Sequence, residues 1–212
     1  MQRRLLLALA LGIATILPTR ADMISFHSTA VGAAPQNFEF ARTGSGAAGQ
    51  WTIVADASGD GGHALEQRNT DKTDYRFPLA IYQPIRAGNV DATVRFMAVA
   101  GAVDRAAGVA VRLQDADNYY VVRANALEDN VRFYQVVKGR RTELKSANVK
   151  VAANVWHTLA LEVQDDRFTI VFDGKPLYSV TDTTIPQAGK VALWTKSDSV
   201  TRFDRFEITA KD

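Results

Sequence analysis

Apolar and polar residues alternate with a period of two along much of this chain, in short runs separated by Gly, Asp and Asn. Successive side chains on an extended strand point to opposite faces, so each run reads as a strand with one apolar side. The pattern predicts fourteen strands, at 37–42, 51–55, 64–68, 75–82, 91–99, 108–114, 119–125, 131–138, 141–145, 156–164, 167–173, 176–181, 190–196 and 201–209. They are rich in β-branched and aromatic residues and recur every eight to twelve positions, and no helix of any length competes with them.

The breaks carry residues that bend the backbone at low cost. Asp173-Gly174, between RFTIVF and KPLYSV, is the strongest hairpin signal, because Gly accepts the positive φ of a two-residue primed turn. Asp165-Asp166, Lys138-Gly139-Arg140 and Asp115 to Asn118 do the same work between their flanking runs, which predicts a consecutive antiparallel meander. Alternation assigns faces: Val109, Val111 and Leu113 inward with Gly108, Ala110 and Arg112 outward; Leu159, Leu161 and Val163 inward; Phe168, Ile170 and Phe172 inward. Strands with one apolar face each bury those faces by stacking two sheets. The expected fold is all-β, a two-sheet antiparallel jelly-roll sandwich.

The first 21 residues stand apart. Arg3 and Arg4 precede the 13-residue apolar run Leu5 to Leu17, and Pro18, Thr19, Arg20 and Ala21 follow, the order of a secretory signal peptide cleaved after Ala21. The run is short of the ~20 residues that cross a bilayer. The expected organisation is a leader at 1–21 and one domain at 22–212, in the periplasm or outside the cell. Without the leader's three arginines, Lys plus Arg falls from 25 to 22 against 23 acids. That balance gives no electrostatic reason to expect nucleic acid or an anionic membrane as partner. Cysteine is absent, which excludes disulfides, thiolate metal sites and thiol nucleophiles. A single core must then hold a monomer together.

The ordered set AAGVAVRLQDADNYYVVRAN, VRFYQVVKGRRTEL, WHTLALEVQDDRFTIVFDGKPL, GKVALWTKSD and FDRFEI resembles the second half of concanavalin A-like lectin/glucanase domains. The likeness is greatest to the laminin-G-like and 3-keto-disaccharide-hydrolase-like branch. It implies a curved jelly roll whose concave sheet presents a sugar groove, and activities from glycoside cleavage to plain carbohydrate or protein binding. The chain departs from the keto-disaccharide branch where relatives carry N-S-G and an acid: Ala106, Ala107, Gly108 and Tyr120 stand there instead. The resemblance also implies a structural calcium at Asp204. Only Glu39 joins it against the six to eight oxygens calcium takes, so the expectation is a surface Asp and no cofactor.

A retaining glycosidase needs two carboxylates about 5–5.5 Å apart, which alternate acids on a strand supply. No such motif is present. Glu128-Asp129 reads as a turn, and Glu162 with Asp165 and Asp166 as a strand end and hairpin, so catalytic residues stay unassigned. His27, His63 and His157 lack metal-ligand spacing; His63 beside glycines is a loop candidate for ligand contact and His157 a packing residue. The remaining signal is polar and aromatic. Arg112, Tyr119, Arg123, Asn125, Arg132, Tyr134, Trp194 and Lys196 fall on the non-core face of the middle strands, a composition suited to stacking on sugar rings and bonding their hydroxyls. The expected ligand is a carbohydrate, with a sugar hydrolase and a protein-binding adhesion domain as alternatives.

Overall fold

Residues at positive φ close most of the hairpins and thereby set the order of the strands. A computed structural model describes residues 20–211, so most of the expected leader lies outside the described residues. Those residues form β1 (Arg20–Ser25), β2 (Phe38–Gly44), β3 (Trp51–Ala55), β4 (His63–Gln67), β5 (Arg76–Ala87), β6 (Val90–Ala100), β7 (Ala106–Asp115) and β8 (Asn118–Asn125). They continue with β9 (Asn130–Val137), β10 (Arg140–Asn148), β11 (Trp156–Gln164), β12 (Arg167–Phe172), β13 (Lys175–Thr181), β14 (Gly189–Trp194) and β15 (Val200–Ala210). A short 3-10 turn at Asp60–Gly62 is the helical element among them. In the β12–β13 turn Asp173 and Gly174 have φ of 47° and 72°, the left-handed pair that a primed hairpin turn requires.

The strands pair antiparallel into two sheets. Sheet I runs β13-β12-β11-β6-β15-β4-β3, with β1 also paired to β15; sheet II runs β10-β9-β8-β7-β14-β5-β2. The chain crosses between sheets after β10, so the expected meander is two, β7 to β10 in sheet II and β11 to β13 in sheet I. This is the predicted jelly-roll sandwich. The unpredicted strand is β1. It starts two residues inside the expected leader, where Arg20 and Ala21 lie opposite Ala210 and Thr209.

Between the sheets lies the main core. Leu159, Leu161, Val163, Phe168 and Ile170 are wholly buried there, as their alternation predicted. Ile170→Ala should therefore cost about 3 kcal/mol through the cavity it leaves. Its neighbour Thr169 bonds the Ser179 hydroxyl at 3.1 Å on the other face, and Thr169→Ala should cost under ~1 kcal/mol. Equal shifts in urea melts would show the strand to be out of register.

Sheet II is apolar on both faces. Its outer face carries a second buried cluster, including Phe77, Leu79, Ala110, Tyr119, Val121, Tyr134, Val136 and Trp194. Leu113 belongs to that cluster and not to the main core, contrary to the alternation of GVAVRL. Its parity is reversed by a bulge between Val111 and Asp115, where Arg112 adopts φ 48°. The opposing strand permits this only because residue 189 is Gly. A Cβ there would lie 2.3 Å from the carbonyl carbon of Arg112.

Candidate functional site

The bulge in β7 swings Arg112 away from the outer face, where the sequence placed it, toward the end of the sandwich between the sheets. It is 4% exposed. Its guanidinium donates to three backbone carbonyls, Gly88 at 3.0 Å, Ile185 at 3.2 Å and Asp165, and lies 5.3 Å above the Phe168 ring. Those carbonyls belong to three different connections, β5–β6, β13–β14 and β11–β12. One planar cation thus ties three loops together, which its fixed fork of donors suits it to do.

Around it the loops line an open cavity of about 370 Å³, bordered among others by Asn89, Arg112, Asp165, Asp166, Asp182 and Pro186. The volume falls within the ~300–1,000 Å³ of small-molecule pockets. Further bonds hold the rim. Asn89 Oδ1 accepts the Asp165 N–H at 2.7 Å, and Asp182 accepts the Tyr120 hydroxyl and the Thr184 N–H at 2.8 Å. Burial, reinforced by Asp182, pushes the Tyr120 phenol up to about 12, so it remains a neutral donor. Asp166 is exposed and its carboxylate has no partner among the described residues. The cavity therefore offers an excess of carboxylate acceptors on a braced frame. The sequence showed these acids only as turn residues; the usable signal was that acids sit in the turns after both β11 and β13, at one end of the sandwich.

The other predicted residues lie on the outer face of sheet II or at its end, but packed against one another. Tyr119 and Trp194 are fully buried: the indole N–H donates to the Tyr119 oxygen at 3.3 Å, and that hydroxyl lies 2.7 Å from Thr43 Oγ1. Arg123 is buried and donates to Asn130 at 2.5 Å and Glu128 at 2.8 Å. Asn125 bonds Asp104 at 2.7 Å and caps the following turn. Lys196 bridges Asp74 at 2.7 Å and Asp104 at 2.8 Å. Tyr134 is 4% exposed. The segment before β5 closes this face. Asp71, held down to about 2 by the Ala47 N–H and then by the Thr73 hydroxyl and N–H, braces the loop, and the Tyr75 hydroxyl donates to Gly139 C=O at 2.9 Å. An open aromatic groove is thus replaced by a second core.

Asp204, expected at the surface, is fully buried. It sits at a bulge of β15, bonded by Arg95 and by the Asp60 N–H at 2.7 Å, and burial pushes its carboxyl up. Glu39 lies on β2 in the opposite sheet, so the two acids do not meet. Among the described residues no three His, Cys, Asp or Glu side chains are grouped to hold a metal. Glu128 is engaged by Arg123 and Arg132, and Asp129 by Lys150. His157 packs between Phe96 and Phe172 and bonds Asp173 at 2.8 Å. His63 Nδ1 lies 3.4 Å from the Phe26 carbonyl oxygen and lines neither the end cavity nor the outer face.

Solved structures share this architecture. The carbohydrate-binding module CBM66 from Bacillus subtilis superposes with a TM-score of 0.60 at 20% identity, over 78% of this chain and 91% of that one. The β-glucanase of Bacillus licheniformis gives 0.58 at 15% identity, over 91% and 98%. The exoplasmic/lumenal domain of VIP36, in its Ca²⁺/Man3GlcNAc-bound form, gives 0.55 at 11% identity, over 81% and 83%. At these identities the likeness is one of fold. The sequence carries a closer kinship: residues 88–211, which contribute Arg112 and the whole rim of the end cavity, match the family model described as the galactocerebrosidase C-terminal lectin domain. Since that match spans more than half of the chain, the protein belongs to the galactocerebrosidase C-terminal lectin domain family.

Proposed function

We propose that this chain is an exported carbohydrate-binding domain, periplasmic or secreted, and that it binds neutral sugar hydroxyls in the end cavity. The observation that carries the site is the braced loop frame. Arg112 spends its bonds on backbone carbonyls of three loops, leaving Asp165, Asp166 and Asp182 around the opening as acceptors for hydroxyl donors. Such preorganisation removes ordering cost from binding. Lectin kinship and the fold shared with a carbohydrate-binding module support the ligand class; the leader-like first 21 residues support export.

The exposed Asp166 is the cleanest probe, because its side chain bonds no other described residue. Asp166→Ala should weaken a neutral oligosaccharide about tenfold while leaving the melting curve unchanged. Titration calorimetry against neutral mono- and oligosaccharides measures this, and silence across the whole panel would overturn the reading. The three carboxylates also favour a second reading, hydrolysis as in the 3-keto-disaccharide-hydrolase-like branch. Turnover of a 3-keto-glycoside by the purified protein would put it ahead of simple binding.

A further inference from the structure

The end cavity is acidic; the β9–β10 side of sheet II is not. Three guanidinium groups converge there around the Tyr134 ring. Arg141 lies 4.4 Å from its centroid and Arg123 5.9 Å, while Arg132 shares the face and pairs with Glu128 and Glu143. Each of the three keeps one buried nitrogen without a hydrogen-bond partner: Nε of Arg123, Nε of Arg132 and Nη1 of Arg141. Two carboxylates serve this group, and both are spent: Glu128 on Arg123 and Arg132, Glu143 on Arg132.

Arg141 is left over. Its guanidinium lies over the rings of both Phe77, at 4.7 Å, and Tyr134, yet it forms no ion pair and its side chain no hydrogen bond among the described residues. Asp74, whose charge it also feels, is held by Lys196 at 2.7 Å. A half-buried cation seated on aromatic faces is weakly hydrated and geometrically fixed, the state in which a guanidinium pairs best with a planar oxyanion. Its surroundings add to the same sign. Lys138 and Arg140, on the same hairpin, are exposed and enter no ion pair among the described residues, and Tyr75 beside them is 40% exposed and presents ring surface at this edge. Ring surface next to an unpaired guanidinium is what a charged sugar needs, one for its C–H face and one for its acid group.

We propose that this edge of sheet II is a second glycan subsite, specific for an acidic sugar, with Arg141 pairing the carboxylate of a uronate or the sulfate of a sulfated sugar. The inference rests on the carbohydrate reading but not on the end cavity.

Calorimetric titration of the whole chain with three probes tests it: an oligogalacturonate, its methyl-esterified neutral form, and a sulfated galactose oligosaccharide. At least one acidic probe should bind about tenfold more tightly than the neutral one, with an advantage that shrinks as salt is raised. The stronger of the two acidic probes tells carboxylate from sulfate. Arg141→Gln should abolish that advantage while leaving the neutral ester's affinity unchanged; Arg141→Lys, which keeps the charge, should retain part of it. The comparison of probes on the unaltered protein stands even if Arg141→Gln does not fold. If the neutral ester binds as tightly as both acidic forms, or if the acidic advantage survives Arg141→Gln, the subsite is refuted while the carbohydrate reading stands. If none of the three binds, the subsite is refuted, while the carbohydrate reading is decided by the panel of neutral sugars.

Discussion

Trp194→Ala is expected to cost about 3–5 kcal/mol of folding stability, and not to act through ligand contact. The indole is fully buried and stacks on Phe77 with centroids 5.2 Å apart. Its N–H belongs to a chain of hydrogen bonds that runs through the Tyr119 hydroxyl to Thr43. Removing the ring opens a cavity in the outer cluster of sheet II and deprives the buried Tyr119 oxygen of a donor. Against a total stability of about 5–15 kcal/mol, that loss is large. Denaturant melts followed by circular dichroism measure it. A loss below ~1 kcal/mol coupled to a large drop in glycan affinity would show that the outer face opens in solution and is the groove first expected there.

The second large effect is at Arg112. Read from alternation alone, Arg112→Ala would weaken binding and leave folding almost untouched. The structure reverses this. Three charge-assisted bonds to backbone carbonyls are lost together, each of ~1.5–3 kcal/mol before non-additivity, so the expected destabilisation is about 4 kcal/mol. The three loops then lose their common tie, and sugar binding in the end cavity should disappear even under conditions where the rest of the sandwich stays folded. Arg112→Lys should not rescue it, since one ammonium cannot span the three carbonyls. Wild-type melting and affinity in Arg112→Ala would place the binding site elsewhere and reduce Arg112 to a surface residue.

Both results turn on what the sequence could and could not show. In Arg167 to Phe172 and Trp156 to Gln164 one parity carries Phe168, Ile170 and Phe172 and Leu159, Leu161 and Val163, while the other mixes polar residues with Val171, Trp156 and Ala160, so parity identified the core residues. Asp173-Gly174 was equally legible because its backbone geometry depends on two adjacent residues. The bulge at Arg112 was not. GVAVRL alternates without interruption, and what allows the chain to slip there is a Gly on another strand, residue 189, 77 positions away along the sequence. The outer cluster left a trace that alternation hid. Tyr119 to Val122 is a continuous apolar run, the pattern of a strand buried on both faces, and it argued against reading Tyr119 as solvent-facing. The end cavity was the least legible feature, since its acids come from separate turns that meet only when both sheets are complete.

The two meanders end on strands with a common peculiarity. β10, the outer strand of sheet II, slips register between Glu143 and Lys145 and carries Arg140, Arg141 and Lys145; β13, at one edge of sheet I, pairs through an irregularity at Ile170–Val171 and holds Lys175 and Pro176 near its start. A free edge invites another chain to extend the sheet, and charge, proline and broken register are the means by which such growth is blocked. Chains of this kind can therefore reach high local concentration without fusing edge to edge into aggregates.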